Sequence, residues 1–133
     1  MIAYTLDASA LMAFTQKEKG HEKLKKILKS NSRPFMHSIN FLEVEYKSKI
    51  KFPHLWPQSK KILKHLPITV AQLLTEEITN YSRYLKTKYH LSLADSIGLA
   101  FSKFADTTFL TCDRHELEII AKNEPNLKIE FLR

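Results

Sequence analysis

The sequence predicts an α/β fold in which a parallel sheet lies between helices on both faces. Three observations carry this. Short apolar and β-branched runs alternate with helical patterns from one end of the chain to the other. Three of the runs lead into helix-starting polar residues, at Asp7, Ser38 and Asp113. One helical stretch, residues 91–101, is apolar on nearly every side, as a helix pressed into a core must be.

The elements follow in order. Residues 2–6 are an apolar run that reads as a buried first strand. The chain then turns helical from Asp7, with Leu11, Met12 and Phe14 available for the core. Residues 20–31 form an amphipathic helix with Leu24, Ile27 and Leu28 inward and a row of lysines outward. Residues 33–37 are the second strand. Ser38 is the expected cap of a helix packed through Phe41, Leu42, Val44 and Tyr46. Residues 52–57 are a proline-marked loop, 58–66 a helix, 67–70 the third strand and 75–89 a long helix carrying Ile78, Tyr81 and Leu85 on one face. The apolar helix comes next, with Leu93, Ile97, Ala100, Phe101 and Phe104 at helical spacing. Residues 106–111 are the fourth strand, a helix begins at Arg114, and residues 127–132 alternate as a last strand. No repeat, low-complexity stretch or composition shift divides the 133 residues, so a single domain over 1–133 is expected.

The bulk numbers narrow the function. Lys plus Arg is 21 against 14 Asp plus Glu, a formal charge of +7 that favours polyanionic partners. A single cysteine, Cys112, excludes an internal disulfide and fits a reducing compartment. Residues 1–14 lack a basic leader and carry Asp7, and no apolar run approaches membrane-spanning length, so a cytoplasmic protein is expected. Two glycines in the whole chain exclude a phosphate-binding glycine-rich loop. Ser9 stands where an aspartate-nucleophile phosphatase needs a second aspartate. The six histidines show no i,i+4 pair of the zinc-enzyme kind, and Cys112 has no evident histidine partner.

Four acids stand out. Asp7 follows the first strand, Glu43 lies early in the helix after the second, Asp113 follows the fourth, and Asp95 opens the apolar helix. Each has an ordinary local explanation. Asp7 and Asp113 are at capping positions, Ser92-x-x-Asp95 and Asp113-x-x-Glu116 approximate capping boxes, and Glu43 is four residues before Lys47. Together they are harder to dismiss. Strand ends and the helix starts that follow them share one edge of a parallel sheet, and four carboxylates gathered there repel one another unless a cation joins them. Mg²⁺ or Mn²⁺ takes such oxygen ligands, and the chemistry it suits is phosphodiester hydrolysis by an activated water. Gly98 is a further signal. It costs roughly 1 kcal/mol in a helix relative to Ala, so something is expected to approach the backbone closely there.

Four segments carry a resemblance: residues 6–11 (LDASAL), 38–44 (SINFLEV), 93–100 (LADSIGLA) and 109–113 (FLTCD). In this order the chain resembles PIN-domain ribonucleases, and in particular VapC-type toxins of toxin–antitoxin modules. The resemblance implies a PIN-like three-layer sandwich and a Mg²⁺- or Mn²⁺-dependent endoribonuclease. Asp7, Glu43, Asp95 and Asp113 match its catalytic, metal-holding acids, and Ser9, Asn40 and Thr111 match the polar neighbours that support them. It further implies an RNA substrate, a cognate antitoxin encoded beside it and a homodimer. Cys112 departs from the pattern, in which Ser or Ala is more usual. Two alternatives remain at this point: a non-catalytic PIN-like RNA-binding domain, and a PIN nuclease of RNA processing outside any toxin module.

Overall fold

The computed structural model describes residues 2–133; Met1, the first residue of the expected leaderless N-terminus, lies outside them. Five short strands form one sheet: β1 (Tyr4–Leu6), β2 (Phe35–His37), β3 (Thr69–Ala71), β4 (Thr108–Thr111) and β5 (Ile129–Phe131). Their order is β3-β2-β1-β4-β5 and every pairing is parallel. The helices are α1 (Ala8–Thr15), α2 (His21–Lys29), α3 (Ser38–Lys51), α4 (Trp56–His65), α5 (Glu76–Lys88), α6 (Leu93–Phe104) and α7 (Arg114–Asn123), with a 3₁₀ turn at Pro53–Leu55. This is the α/β sandwich the alternation predicts, with strands one to three residues shorter than the apolar runs that announce them.

Among the described residues three apolar clusters pack around the sheet, the smallest made of Ile78, Ala100 and Phe101, and the two larger meet at β4. One gathers Leu6, Leu11, Leu24, Met36, Val44 and Leu110; the other gathers Leu85, Leu99, Phe109, Leu117 and Ile120. Phe109 and Leu110 alternate between them, as successive strand residues must.

The order of the strands positions the site. From β1 the chain builds outward to β2 and β3, then returns to place β4 on the other side of β1. The carboxyl ends of β1 and β4 are therefore the topological switch point, where open α/β sheets bind ligands. Leu6 pairs with Leu110, so Asp7 and Thr111 leave the sheet side by side.

Helix α6 supports this edge from below. Residues Ser96 to Ser102 are all buried. A methyl group placed on Gly98 would lie 2.8 Å from Asn40 Oδ1 and 3.1 Å from the Phe109 ring, which accounts for the glycine. Leu93 and Phe104, expected on the buried face, are 62% and 43% exposed, because the core grips the middle of the helix and not its ends. Likewise Leu42 and Tyr46 of α3 point outward, while Asn40 and Val44 hold the inner face. The cap of α3 is His37, one residue before the expected Ser38. Its Nδ1 accepts from the Ile39 amide at 3.1 Å, and its Nε2 bonds the Leu73 carbonyl at 2.7 Å. His37 thus ties β2 to the segment after β3 and is a structural residue.

Candidate metal centre

Asp7 sits at the start of α1 but does not cap it: no backbone amide of the helix reaches its side chain. The carboxylate is buried, and its Oδ2 accepts hydrogen bonds from Ser9 and from Thr111, each at 2.7 Å. The two hydroxyls have second duties. Ser9 Oγ accepts from the Cys112 amide at 2.9 Å, and Thr111 Oγ1 accepts from the Asp113 amide at 3.0 Å. Asp7 and the turn after β4 are thereby locked together. Asn40, fully buried, donates to the Ala94 carbonyl at 3.1 Å and so fixes the start of α6 beside the start of α3.

Asp95 does take part in a cap, as the local spacing predicts. Its amide is held by Ser92 Oγ at 3.1 Å. Its side chain nevertheless lies close enough to Asp7 and Glu43 to feel both charges. Burial, followed by the neighbouring Asp7 charge, pushes the Asp95 carboxyl up to about 8. Burial also raises Asp7, against the pull of Thr111, Ser9 and Asp95. Glu43 makes the expected pair with Lys47 through Oε2 at 2.6 Å, yet its Oε1 is buried with no partner. Asp113 caps α7 by accepting from the Glu116 amide at 3.2 Å. Ligand oxygens of Asp95, Asp113 and Glu116 lie within 4.8 Å of one another. Local cap or pair and shared cleft are thus compatible for Asp95, Asp113 and Glu43, and only Asp7 lacks the local role altogether.

A family model for the PIN domain matches residues 4–123. The chain belongs to the PIN-domain family. Three solved structures show how widely this PIN domain's fold is shared. One is a toxin–antitoxin complex from Klebsiella pneumoniae, 15% identical, with 98% of each chain covered and a TM-score of 0.73. Another is VapBC2 from Rickettsia felis bound to a DNA fragment from their promoter, at 18% identity, 98% coverage of each chain and a TM-score of 0.71. A third is DNA-bound VapBC from Salmonella typhimurium, at 14% identity, 100% coverage of each chain and a TM-score of 0.72. At these identities the likeness is one of fold. No curated protein matches the sequence significantly.

The donor set of this PIN domain suits a hard dication. Asp7 Oδ1 and Glu43 Oε1 are buried carboxylate oxygens without a hydrogen-bond partner. A buried, unpaired carboxylate oxygen costs several kcal/mol at the order-of-magnitude level, and oxygen donors with carboxylate charge are what Mg²⁺ and Mn²⁺ coordinate. The i,i+3 spacing from Asp113 marks Glu116 as a capping partner, and its amide is indeed held by Asp113; the tertiary structure adds that its carboxylate lies near those of Asp95 and Asp113. His115, next to Glu116 in the chain, is exposed.

Proposed function

We propose that this PIN domain is a Mg²⁺- or Mn²⁺-dependent endoribonuclease and the toxin of a type II toxin–antitoxin pair. The observation that carries the reading is the pair of orphaned carboxylate oxygens, Asp7 Oδ1 and Glu43 Oε1, on two acids whose charges reach Asp95. Asp7, Glu43, Asp95 and Asp113 would hold the metal. When bound, it supplies Lewis-acid polarisation of a phosphoryl oxygen and a more acidic water.

The chain's own residues do the rest. Ser9 and Thr111 aim the Asp7 carboxylate and fix which oxygen stays free. Asn40 holds α6 so that Asp95 faces Asp7. Glu116, half-buried beside Asp113 and Asp95, would accept the proton that the attacking water gives up. No side chain acts as nucleophile: Cys112 has its thiol pushed up by burial and is a poor one. Lysines around the cleft meet the phosphates of a polyanionic substrate.

A cognate antitoxin, a homodimer and a cytoplasmic location belong to the same proposal. The first is supported by the toxin–antitoxin complexes among the fold neighbours, and the last by a single cysteine and by the absence, among the described residues, of any helix long and apolar enough to cross a membrane. The test is cleavage of RNA by wild type and Asp95→Asn with Mg²⁺, with Mn²⁺ and with chelator. Wild type should cut only with metal and Asp95→Asn not at all; equal cutting by both would remove the assignment.

A further inference from the structure

Asp7 and Glu43 are prepared in the same way. On each carboxylate one oxygen is occupied by a donor and the other is buried and bare. On Asp7 the donors are the neutral hydroxyls of Ser9 and Thr111. On Glu43 the donor is a cation, with Lys47 Nζ 2.6 Å from Oε2. The two residues stand four apart on α3, glutamate first, so one turn of a single helix brings them together without help from the sheet.

A pair at this spacing contributes little when water competes for both partners. Arg114 and Glu118 of α7 are such a pair, with both side chains more than half exposed. Lys47 and Glu43 are not. The Glu43 side chain is 15% exposed, and its second oxygen is buried. Charge points the same way. Asp7, Glu43 and Asp95 feel one another's charge. A single dication leaves one of these three carboxylate charges uncompensated, and the Lys47 ammonium, whose charge reaches Glu43 and Asp7, supplies the difference. Glutamate also has one more rotatable bond than aspartate. The entropy of freezing it opposes metal binding unless the protein has frozen it beforehand.

We propose that Lys47 is a positioning residue of the metal centre, which pins Glu43 through Oε2 and so presents Oε1 to the ion. This role presupposes that Glu43 holds the metal, as the nuclease reading has it. Lys47 does for Glu43 what Ser9 and Thr111 do for Asp7, and as an ammonium it also eases the repulsion among the acids before an ion arrives.

Removing Lys47 has two effects of opposite sign. A dication is repelled by a neighbouring ammonium, so loss of the charge alone would tighten binding. Loss of a group that orients a ligand weakens binding, typically 10- to 100-fold. The Lys47 side chain is half in water, where its repulsion of the ion is screened, while its bond to Glu43 is direct. Orientation therefore outweighs repulsion.

The test titrates the full chain with Mn²⁺ alone, by calorimetry and without RNA. Lys47→Met keeps most of the stem and removes both charge and donor. Lys47 borders an open shelf of about 450 Å³, so the variant keeps the fold, which circular dichroism and melting in chelator check. Mn²⁺ affinity should fall about tenfold in Lys47→Met and return in Lys47→Arg, which keeps charge and donor. In a Glu43→Gln background the same change should have little further effect, because the role runs through Glu43. Lys51→Met, at a lysine that bonds the neutral Gln16, should leave the affinity as it is. Unchanged or tighter Mn²⁺ binding in Lys47→Met overturns the proposal, as does an equal loss in the Glu43→Gln background. Wild type that binds no Mn²⁺ defeats the metal-centre reading and this role with it, whereas wild-type binding that Lys47→Met leaves untouched defeats this role alone.

Discussion

Thr111 donates a hydrogen bond of 2.7 Å to Asp7 across the β1–β4 pairing, from 104 residues further along the chain. The same oxygen accepts from the Asp113 amide, so one hydroxyl orients two of the four acids. Thr111→Val keeps the shape and removes both bonds. We expect Mn²⁺ affinity and RNA cleavage to fall about 10- to 100-fold, the usual effect of losing a partner that orients a ligand. Calorimetric Mn²⁺ titration of wild type and Thr111→Val measures it, and equal affinities would show that Asp7 needs no such orientation.

The crowding around Asp95 gives metal-free stability a pH dependence. Burial and the Asp7 charge raise the folded carboxyl to about 8, above its ordinary value of 3.8. The folded state then binds the proton more tightly than the unfolded state does. Its stabilising contribution is complete below the ordinary value and is lost as pH rises through about 8. Melting curves in chelator should therefore show wild type weakening from pH 5 to pH 9 more than Asp95→Asn does. Mn²⁺ added at pH 8 should raise the wild-type Tm and leave Asp95→Asn unmoved.

Glu124 anchors the opposite end of the molecule. Buried after α7, it accepts from Tyr84 at 3.0 Å, Tyr89 at 2.5 Å and Lys88 at 3.1 Å. Burial alone would raise its carboxyl, but these donors outweigh it and hold it below the ordinary 4.5. A depressed carboxyl contributes stability above that value and loses it as pH falls through the folded one. Glu124→Gln should cost about 1–3 kcal/mol at pH 7, with the gap to wild type closing in acid. Urea unfolding at both pH values measures this, while RNA cleavage should be unaffected.

Gly98→Ala tests the close approach beneath the site. Helix propensity alone predicts a gain of roughly 1 kcal/mol. The added methyl would meet Asn40 Oδ1 at 2.8 Å and push on the residue that sets α6 against α3. We expect a net loss of about 1–3 kcal/mol by overpacking, together with weaker Mn²⁺ binding. A variant as stable as wild type and with full metal affinity would show that Asn40 has room to move.

Much of the site was legible in the chain. Asp7, Asp95 and Asp113 stand at strand-to-helix junctions or in a first helical turn, and the alternation of elements places such positions on one sheet edge. Gly98 signalled a close contact because a helical glycine is costly. Other features were not legible. The pairing of Glu43 with Lys47 is as local as it looked, and nothing in the spacing says that the other carboxylate oxygen is buried and bare. Leu93, Phe104, Leu42 and Tyr46 are exposed despite their apolar spacing, because periodicity reports an apolar face and not how far a neighbour covers it.

The sequence by itself determined the alternation of strands and helices, the short polar junctions that end the strands, and the residue types available there. Those depend on period and on capping chemistry, which act over a few residues. Only the tertiary structure decided that β4 returns to lie beside β1, that Asn40 reaches α6 at Gly98, that Glu116 joins Asp95, and that two carboxylate oxygens are buried without partners. These are relations between segments tens of residues apart. They are set by how the sheet and helices pack as wholes, which no local pattern encodes.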